Sequence, residues 1–310
     1  MSLAKHRWVY IVGALFVAMF AVGLAFAPSL RNFYGHRAGV LIREDVPYRP
    51  GSTHEKQRLD LYLPAEASGP FPLLVFVHGG IWKAQDRRFF QPATGLYGAV
   101  GVSLARQGVG VAVVGYRQYP EAGFGEGLDD LATAVAFVLR SAAQWGANPE
   151  AVVVAGHSNG GLLVSLLALD PQYLQRAGSD PARIRGFVSI AGTYSPKRIL
   201  PSLKREEAEI VVKCVGGPAG LATFSPVLHA RADAPPMLFF VAQRDFPFLV
   251  TEHREMLQAL APAGDRVSAV ELPTDDHMSM LLNLGTPRDT LSLPLLTFIH
   301  RVSRAAPPAP

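Results

Sequence analysis

Apolar runs rich in β-branched residues recur along this chain at positions 73–77, 109–115, 152–155, 184–190, 237–242 and 267–272. Stretches of helical character lie between them, around 97–107, 127–145, 162–169, 248–260 and 291–302. This alternation constrains the fold more than any other feature. An uninterrupted apolar run of strand length is what a parallel strand buried on both faces requires. Strands alternating with helices predict an α/β architecture, a mostly parallel sheet with helices on both sides. Residues 58–63 alternate apolar and polar, as a half-buried strand does, and an early strand is expected near 40–46. Residues 193–235 break the rhythm with several prolines and the charged stretch KREEAE, and read as a small cap above the sheet.

The material for such a fold is present. The chain has 310 residues, 49% hydrophobic and 17% charged, enough to build a large core and too apolar for whole-chain disorder. Cys214 is its one cysteine, which excludes a disulfide framework. The net charge of +4 resides in residues 1–50, which hold six Lys/Arg and two Asp/Glu; the remainder balances to zero. With no net basic excess on the folded part, nucleic acid is excluded as a partner.

Residues 8–27 carry no charge, and as a helix they would span roughly 30 Å, the thickness of a bilayer's hydrocarbon core. Lys5 and Arg7 precede the run, and Trp8 and Tyr10 stand where interfacial aromatics belong. A retained transmembrane anchor is the expectation, with residues 1–7 as its flank. A cleaved secretory signal competes, since Ala25-Phe26-Ala27 has the small-x-small form of a cleavage site. The apolar run exceeds signal length, however, and Pro28 disfavours a cut after Ala27. A buried helix of the soluble domain is the third reading. Arg31, Arg37 and Arg43 follow the run, so charge bias does not set which side of the membrane the chain faces. Residues 28–57 read as a juxtamembrane connection with the first strand, 58–302 as the main domain, and 303–310 as an unpacked tail.

Two motifs carry chemistry. Residues 151–161, AVVVAGHSNGG, place Gly156-His157-Ser158-Asn159-Gly160 between a buried strand and a helix. A nucleophilic serine must project from a sharp strand-to-helix turn, and small residues two before and two after let the backbone pass closely. The helix that follows aims its free N–H groups at a developing oxyanion. Residues 73–82, LLVFVHGGIW, end a second buried strand in His78-Gly79-Gly80, glycines that leave amides open toward a carbonyl. The amides of Gly79, Gly80 and Asn159 are therefore candidates for an oxyanion hole, with Ile81 as a substitute donor. Trp82 offers an aromatic wall for substrate. His78 reads as a brace for its loop rather than a base.

HGGxW, then YRxxP at Tyr116–Pro120, then GHSNGG together resemble the α/β-hydrolase superfamily over about residues 40–302. The similarity is to carboxylesterases of the hormone-sensitive-lipase type, kynurenine formamidases and isoprenylcysteine methylesterases. One departure is Ile81, where lipases of this group often have a further glycine. The resemblance implies an α/β-hydrolase fold and a triad in the order Ser, Asp, His. By position it implies Asp245 in FFVAQRD as the acid and His277 in TDDHMSM as the base, with Ser158 as nucleophile. It also makes residues 193–235 the segment covering the acyl pocket. One of Asp129 and Asp130 would by resemblance tie down the HGG loop; read locally, both cap the helix they open.

Other candidates are weaker. Asp275 and Asp276 lie too close to His277 in sequence and read as solvated turn residues. His253 reads as a surface residue, and His229 and His300 have no strand-end context. Cys214 has no identifiable base and reads as a small buried residue. No metal cluster, P-loop or dinucleotide motif is visible, so no cofactor is implied. The expected activity is cleavage of a small-molecule carboxylic ester of a small or medium acyl group. An arylformamidase and a prenylcysteine methylesterase are the alternatives, and a non-catalytic binding protein on the same fold is the rival from another class.

Overall fold

The computed structural model describes residues 27–80, 85–89 and 91–304. The apolar run 8–27, but for Ala27, and the candidates Ile81 and Trp82 lie outside them. Among the described residues, eight strands form one sheet: β1 (Val40–Pro47), β2 (Arg58–Pro64), β3 (Phe71–Val77), β4 (Gly110–Val114), β5 (Ala147–His157), β6 (Ile184–Ile190), β7 (Met237–Ala242) and β8 (Val267–Leu272). Their order across the sheet is β1-β2-β4-β3-β5-β6-β7-β8. β2 runs antiparallel to both β1 and β4, and all later pairings are parallel.

The side-chain period of two explains why the central strands are apolar throughout. Leu73, Val75 and Val77 of β3 enter one core with Val152 and Val154 of β5, while Leu74 and Phe76 enter the other with Val153 and Ala155. Helices α2 (Phe124–Ser141), α3 (Asn159–Leu169) and α5 (Pro247–Ala259) contribute to the first core. Helices α1 (Leu96–Ala105) and α6 (Ser292–Arg304) contribute to the second. Each buried Val or Leu removed from water on both faces contributes about 1.5–3 kcal/mol.

Two strands differ from their sequence reading. β2, expected half-buried, is buried through Leu59–Leu63. Its polar member Asp60 is fully enclosed because Arg87 and Arg88 pair with its carboxylate and the Asp45 amide donates to it. β8, expected to be buried on both faces, is largely half-exposed, since it forms the sheet's edge and carries Ser268 and Glu271.

The expected connection 28–57 begins as part of the domain. A helix over residues 27–35 buries Phe33 between α1 and Tyr62, and Asn32 Nδ2 donates to Leu284 O at 2.7 Å. At the other end α6 continues through Arg304, so the expected tail is helical at its start; residues 305–310 lie outside the described residues. Residues 193–235 form a run of short helices and turns that includes α4 (Arg205–Cys214). Among the described residues, no helix is long and apolar enough to cross a membrane.

Candidate active site

The sheet order brings distant segments together. β3 and β5 are neighbours in register, Val77 opposite Gly156, so the loop after β3 and the turn after β5 emerge side by side. A methyl group added at Gly79 would stand 3.1 Å from Ser158 Cβ. Ser158 itself sits at φ 57°, ψ −121°, a conformation a non-glycine residue rarely adopts and that costs on the order of 1–3 kcal/mol. The neighbouring glycines make the turn feasible. A Cβ at Gly156 would lie 2.2 Å from Gly160 O, and one at Gly160 would lie 2.3 Å from Val77 O. The Ser158 amide is held by Ile190 O at 2.9 Å, which fixes the turn to β6.

Asp245 and His277 come from the loops after β7 and β8, also adjacent strands. His277 Nε2 lies 3.0 Å from Ser158 Oγ, and its Nδ1 lies 3.0 Å from Asp245 Oδ1. The Asp245 side chain is fully enclosed, and Oδ1 also accepts the Phe246 amide at 2.8 Å. With a proton on Nδ1, the ring donates to the carboxylate and presents a basic Nε2 to the serine hydroxyl. Such a chain can withdraw the serine's proton as it attacks a carbonyl.

The predicted oxyanion donors are placed together but are not equivalent. Gly79, Gly80 and Asn159 all line the cavity at Ser158. The Gly79 amide, however, donates to Tyr97 Oη at 3.2 Å. Tyr97 projects from α1 beneath the loop, and its hydroxyl donates a hydrogen bond to Gln85 Oε1 at 3.0 Å. Gly80, at φ 125°, and Asn159 at the first turn of α3 keep amides that donate to nothing else among the described residues. Asn159 is oriented by its side chain, whose Nδ2 donates to Tyr116 Oη at 3.4 Å.

His78 braces its loop. Its Nδ1 donates to Gly79 O at 2.7 Å, its ring stacks on Tyr116 at 4.5 Å, and burial lowers its pKa to about 4, so it stays neutral. Asp129 and Asp130 do neither of the things expected of them. α2 begins at Phe124, so both lie past its first turn; the Gly123 amide is satisfied by Glu126 instead. Asp129 pairs with Arg176 on the surface. Asp130 is fully buried and gathers Arg117, Arg49 and Gln57, none of which belongs to the HGG loop.

Two further readings are corrected. Asp275, expected to be solvated, is 1% exposed and accepts from Ser279 Oγ and Asn283 Nδ2, which ties the turn after β8 to the segment following His277. Asp276 is exposed and caps that segment through the amides of Met278 and Ser279. His253, expected at the surface, is buried against Phe239, and desolvation lowers its pKa to about 4. Cys214 is buried, and burial pushes its thiol up to about 12, so it is no thiolate nucleophile.

The cavity over Ser158 measures about 660 Å³. Of the cap's apolar residues, Ile199 and Leu203 reach it. Tyr194 instead bonds Ser189 Oγ, and Phe224 packs on Phe124. Sequence reasoning missed Phe246, Phe248 and Met278, which complete the apolar wall. Phe246 is half-exposed, stacks on Phe248, and has its ring centroid 5.3 Å from that of His277. Its position directly after Asp245 was the available signal. Among the described residues, no group of His, Cys, Asp and Glu could hold a metal ion.

Comparison with known proteins adds to this geometry. The BD-FAE family model matches residues 59–260. A probable isoprenylcysteine alpha-carbonyl methylesterase of Oryza sativa subsp. japonica is 24% identical over 79% of this chain, which spans only 60% of that protein's length. The kynurenine formamidase of Danio rerio is 27% identical, with 83% of this chain and 82% of that protein covered. Among solved structures, esterase B from Lactobacillus rhamnosis superposes with a TM-score of 0.73 at 19% identity, covering 94% of this chain and 96% of that one.

Proposed function

This chain belongs to the BD-FAE family and has the α/β-hydrolase fold, and on that premise we propose that it is a serine esterase for carboxylic esters of small or medium acyl groups. The observation that carries the proposal is the continuous Ser158–His277–Asp245 hydrogen-bond chain at the floor of an apolar-walled cavity. His277 Nε2 takes the Ser158 proton as Oγ attacks the ester carbonyl, and Asp245 stabilises the resulting imidazolium. The oxyanion is received by the free amides of Gly80 and Asn159, each such donor being worth about 3–4 kcal/mol in the transition state. His277 then protonates the leaving alcohol, and water activated by the same base releases the acid from the acyl-enzyme. No cofactor enters this scheme.

The wall of Ile199, Leu203, Phe246, Phe248 and Met278 supports an acyl pocket that gains from each methylene until it is full. The gain is about 1 kcal/mol or less per methylene. On p-nitrophenyl esters, kcat/KM is expected to climb from acetyl to butyryl or hexanoyl and then fall. A flat profile from acetate to palmitate, or a maximum at long-chain lipids, contradicts this reading. The relatives named above motivate a second reading, in which the scissile group is an aryl formamide or a prenylcysteine methyl ester. Including N-formylkynurenine and a farnesylcysteine methyl ester in the same panel decides it by ratio of kcat/KM.

We further propose that residues 8–27 anchor the protein in a membrane, on the strength of their uncharged length and flanking charges and aromatics. The anchored protein stays with membranes through high-salt and carbonate washes and is released by detergent. A mature chain beginning at Pro28 would instead mark a cleaved signal.

A further inference from the structure

We propose that His157, the residue immediately before the nucleophile, is a positioning residue that locks the catalytic base to the central strand by gripping its backbone. This inference rests on the esterase reading above and extends it. His157 closes β5, where it pairs with Ile190 of β6, and its ring is 2% exposed. Its Nε2 lies 2.9 Å from the main-chain carbonyl oxygen of His277, and the two imidazole centroids are 4.7 Å apart. A carbonyl can only accept, so the proton of His157 resides on Nε2 and Nδ1 is bare; Nδ1 is buried with no partner among the described residues. The ring is therefore committed to one bond.

That bond has a mechanical consequence. His277 stands in the loop after β8, the edge strand, and is held from outside by Asp245 at Nδ1 and by its own loop. Ser158 is fixed to the sheet centre through β5 and the Ile190 carbonyl. His157 joins the two, so the base's main chain is referenced to the same strand end as the nucleophile. Burial, together with the proximity of the His277 charge, lowers the His157 pKa to about 3. The bond thus persists while His277 cycles between neutral and protonated forms, and a second cation never stands beside the imidazolium.

The test compares two variants of similar length. His157→Gln retains an N–H donor where Nε2 stands, and His157→Met fills the space without a donor. Both are assayed in the full chain for kcat and KM on p-nitrophenyl acetate and for the rate of fluorophosphonate labelling. Loosening a base by a fraction of an ångström to 1 Å costs about 10- to 100-fold. The expected result is a kcat loss of that size in the Met variant with KM within about twofold. Labelling slows in parallel, and the Gln variant recovers most of both rates. Equal losses in the two variants, or a Met variant at wild-type kcat, would overturn the proposal. If the Met variant folds poorly, the labelling rate per folded molecule of the Gln variant decides, with a loss as large as that of His157→Ala counting against it. Failure of the esterase reading is separable, because in that case the wild-type chain itself neither hydrolyses p-nitrophenyl acetate nor takes a fluorophosphonate on Ser158, whereas failure of the His157 proposal leaves wild-type activity intact.

Discussion

The Tyr97 hydroxyl lies 3.2 Å from the Gly79 amide and occupies a donor that the His-Gly-Gly motif would otherwise offer to substrate. Tyr97 also donates to Gln85 Oε1, so its hydroxyl links the two described ends of the loop. Tyr97→Phe leaves the Gly79 N–H buried and unpaired, a loss of about 1–3 kcal/mol of stability. Hydrolysis by the folded variant should stay within about tenfold of wild type, because the oxyanion donors at Gly80 and Asn159 are untouched. Urea denaturation and kcat/KM on a short ester check the two halves. A drop in kcat of more than a hundredfold would show that Gly79 leaves Tyr97 to serve the oxyanion.

Three carboxylates near His277 should separate by role. Asp245→Asn removes the acceptor of the Nδ1 proton, and kcat should fall about 10³–10⁴-fold with the fold retained. Asp275→Asn weakens a buried hub and should cost about 1–3 kcal/mol in stability with a smaller effect on kcat. Asp276→Asn, at the exposed cap, should change each by little. A larger kcat loss from Asp276→Asn than from Asp245→Asn would reassign the acid.

Acid should destabilise the protein through its buried histidines. His78, His157 and His253 have pKa values lowered by burial to about 4, 3 and 4. Their unfolded counterparts bind protons near pH 6.5, so between that value and the folded pKa values the unfolded state holds more protons. Stability is full above about pH 6.5 and declines as pH falls toward 4, by up to about 1.4 kcal/mol per pH unit for each histidine. Urea midpoints at pH 7.5, 6, 5 and 4 measure this. A midpoint that does not move between pH 7.5 and 5 would mean these histidines are solvated.

The parts of the fold legible in the sequence are those where a local pattern and its tertiary setting agree. β3, β5, β6 and β7 are buried on both faces, so their composition alone announces them. Ser158 was legible because the strained turn dictates glycine at 156 and 160. What escaped depends on partners distant in sequence. The arginines that enclose Asp60 lie in another loop, and the second carboxylate oxygen of Asp275 is closed off by the Thr290 hydroxyl from the stretch before α6. β8 carries the pattern of an interior strand but has the sheet's margin for an address. Tyr97 and Phe246 carry no motif, and only the packing of α1 under the loop and the turn after Asp245 bring them to the site.

The central claim is that Ser158 is a nucleophile driven by His277. Intact-protein mass spectrometry after reaction with a fluorophosphonate, followed by peptide mapping, tests it most directly. The account predicts one phosphonyl adduct, on Ser158, absent in Ser158→Ala and formed several orders of magnitude more slowly in His277→Ala. Ser158→Ala should fold normally, since alanine fits the turn, and should hydrolyse a good ester at well under a thousandth of the wild-type rate. An adduct on another residue, or a Ser158→Ala variant that keeps even a tenth of wild-type kcat, would contradict the account.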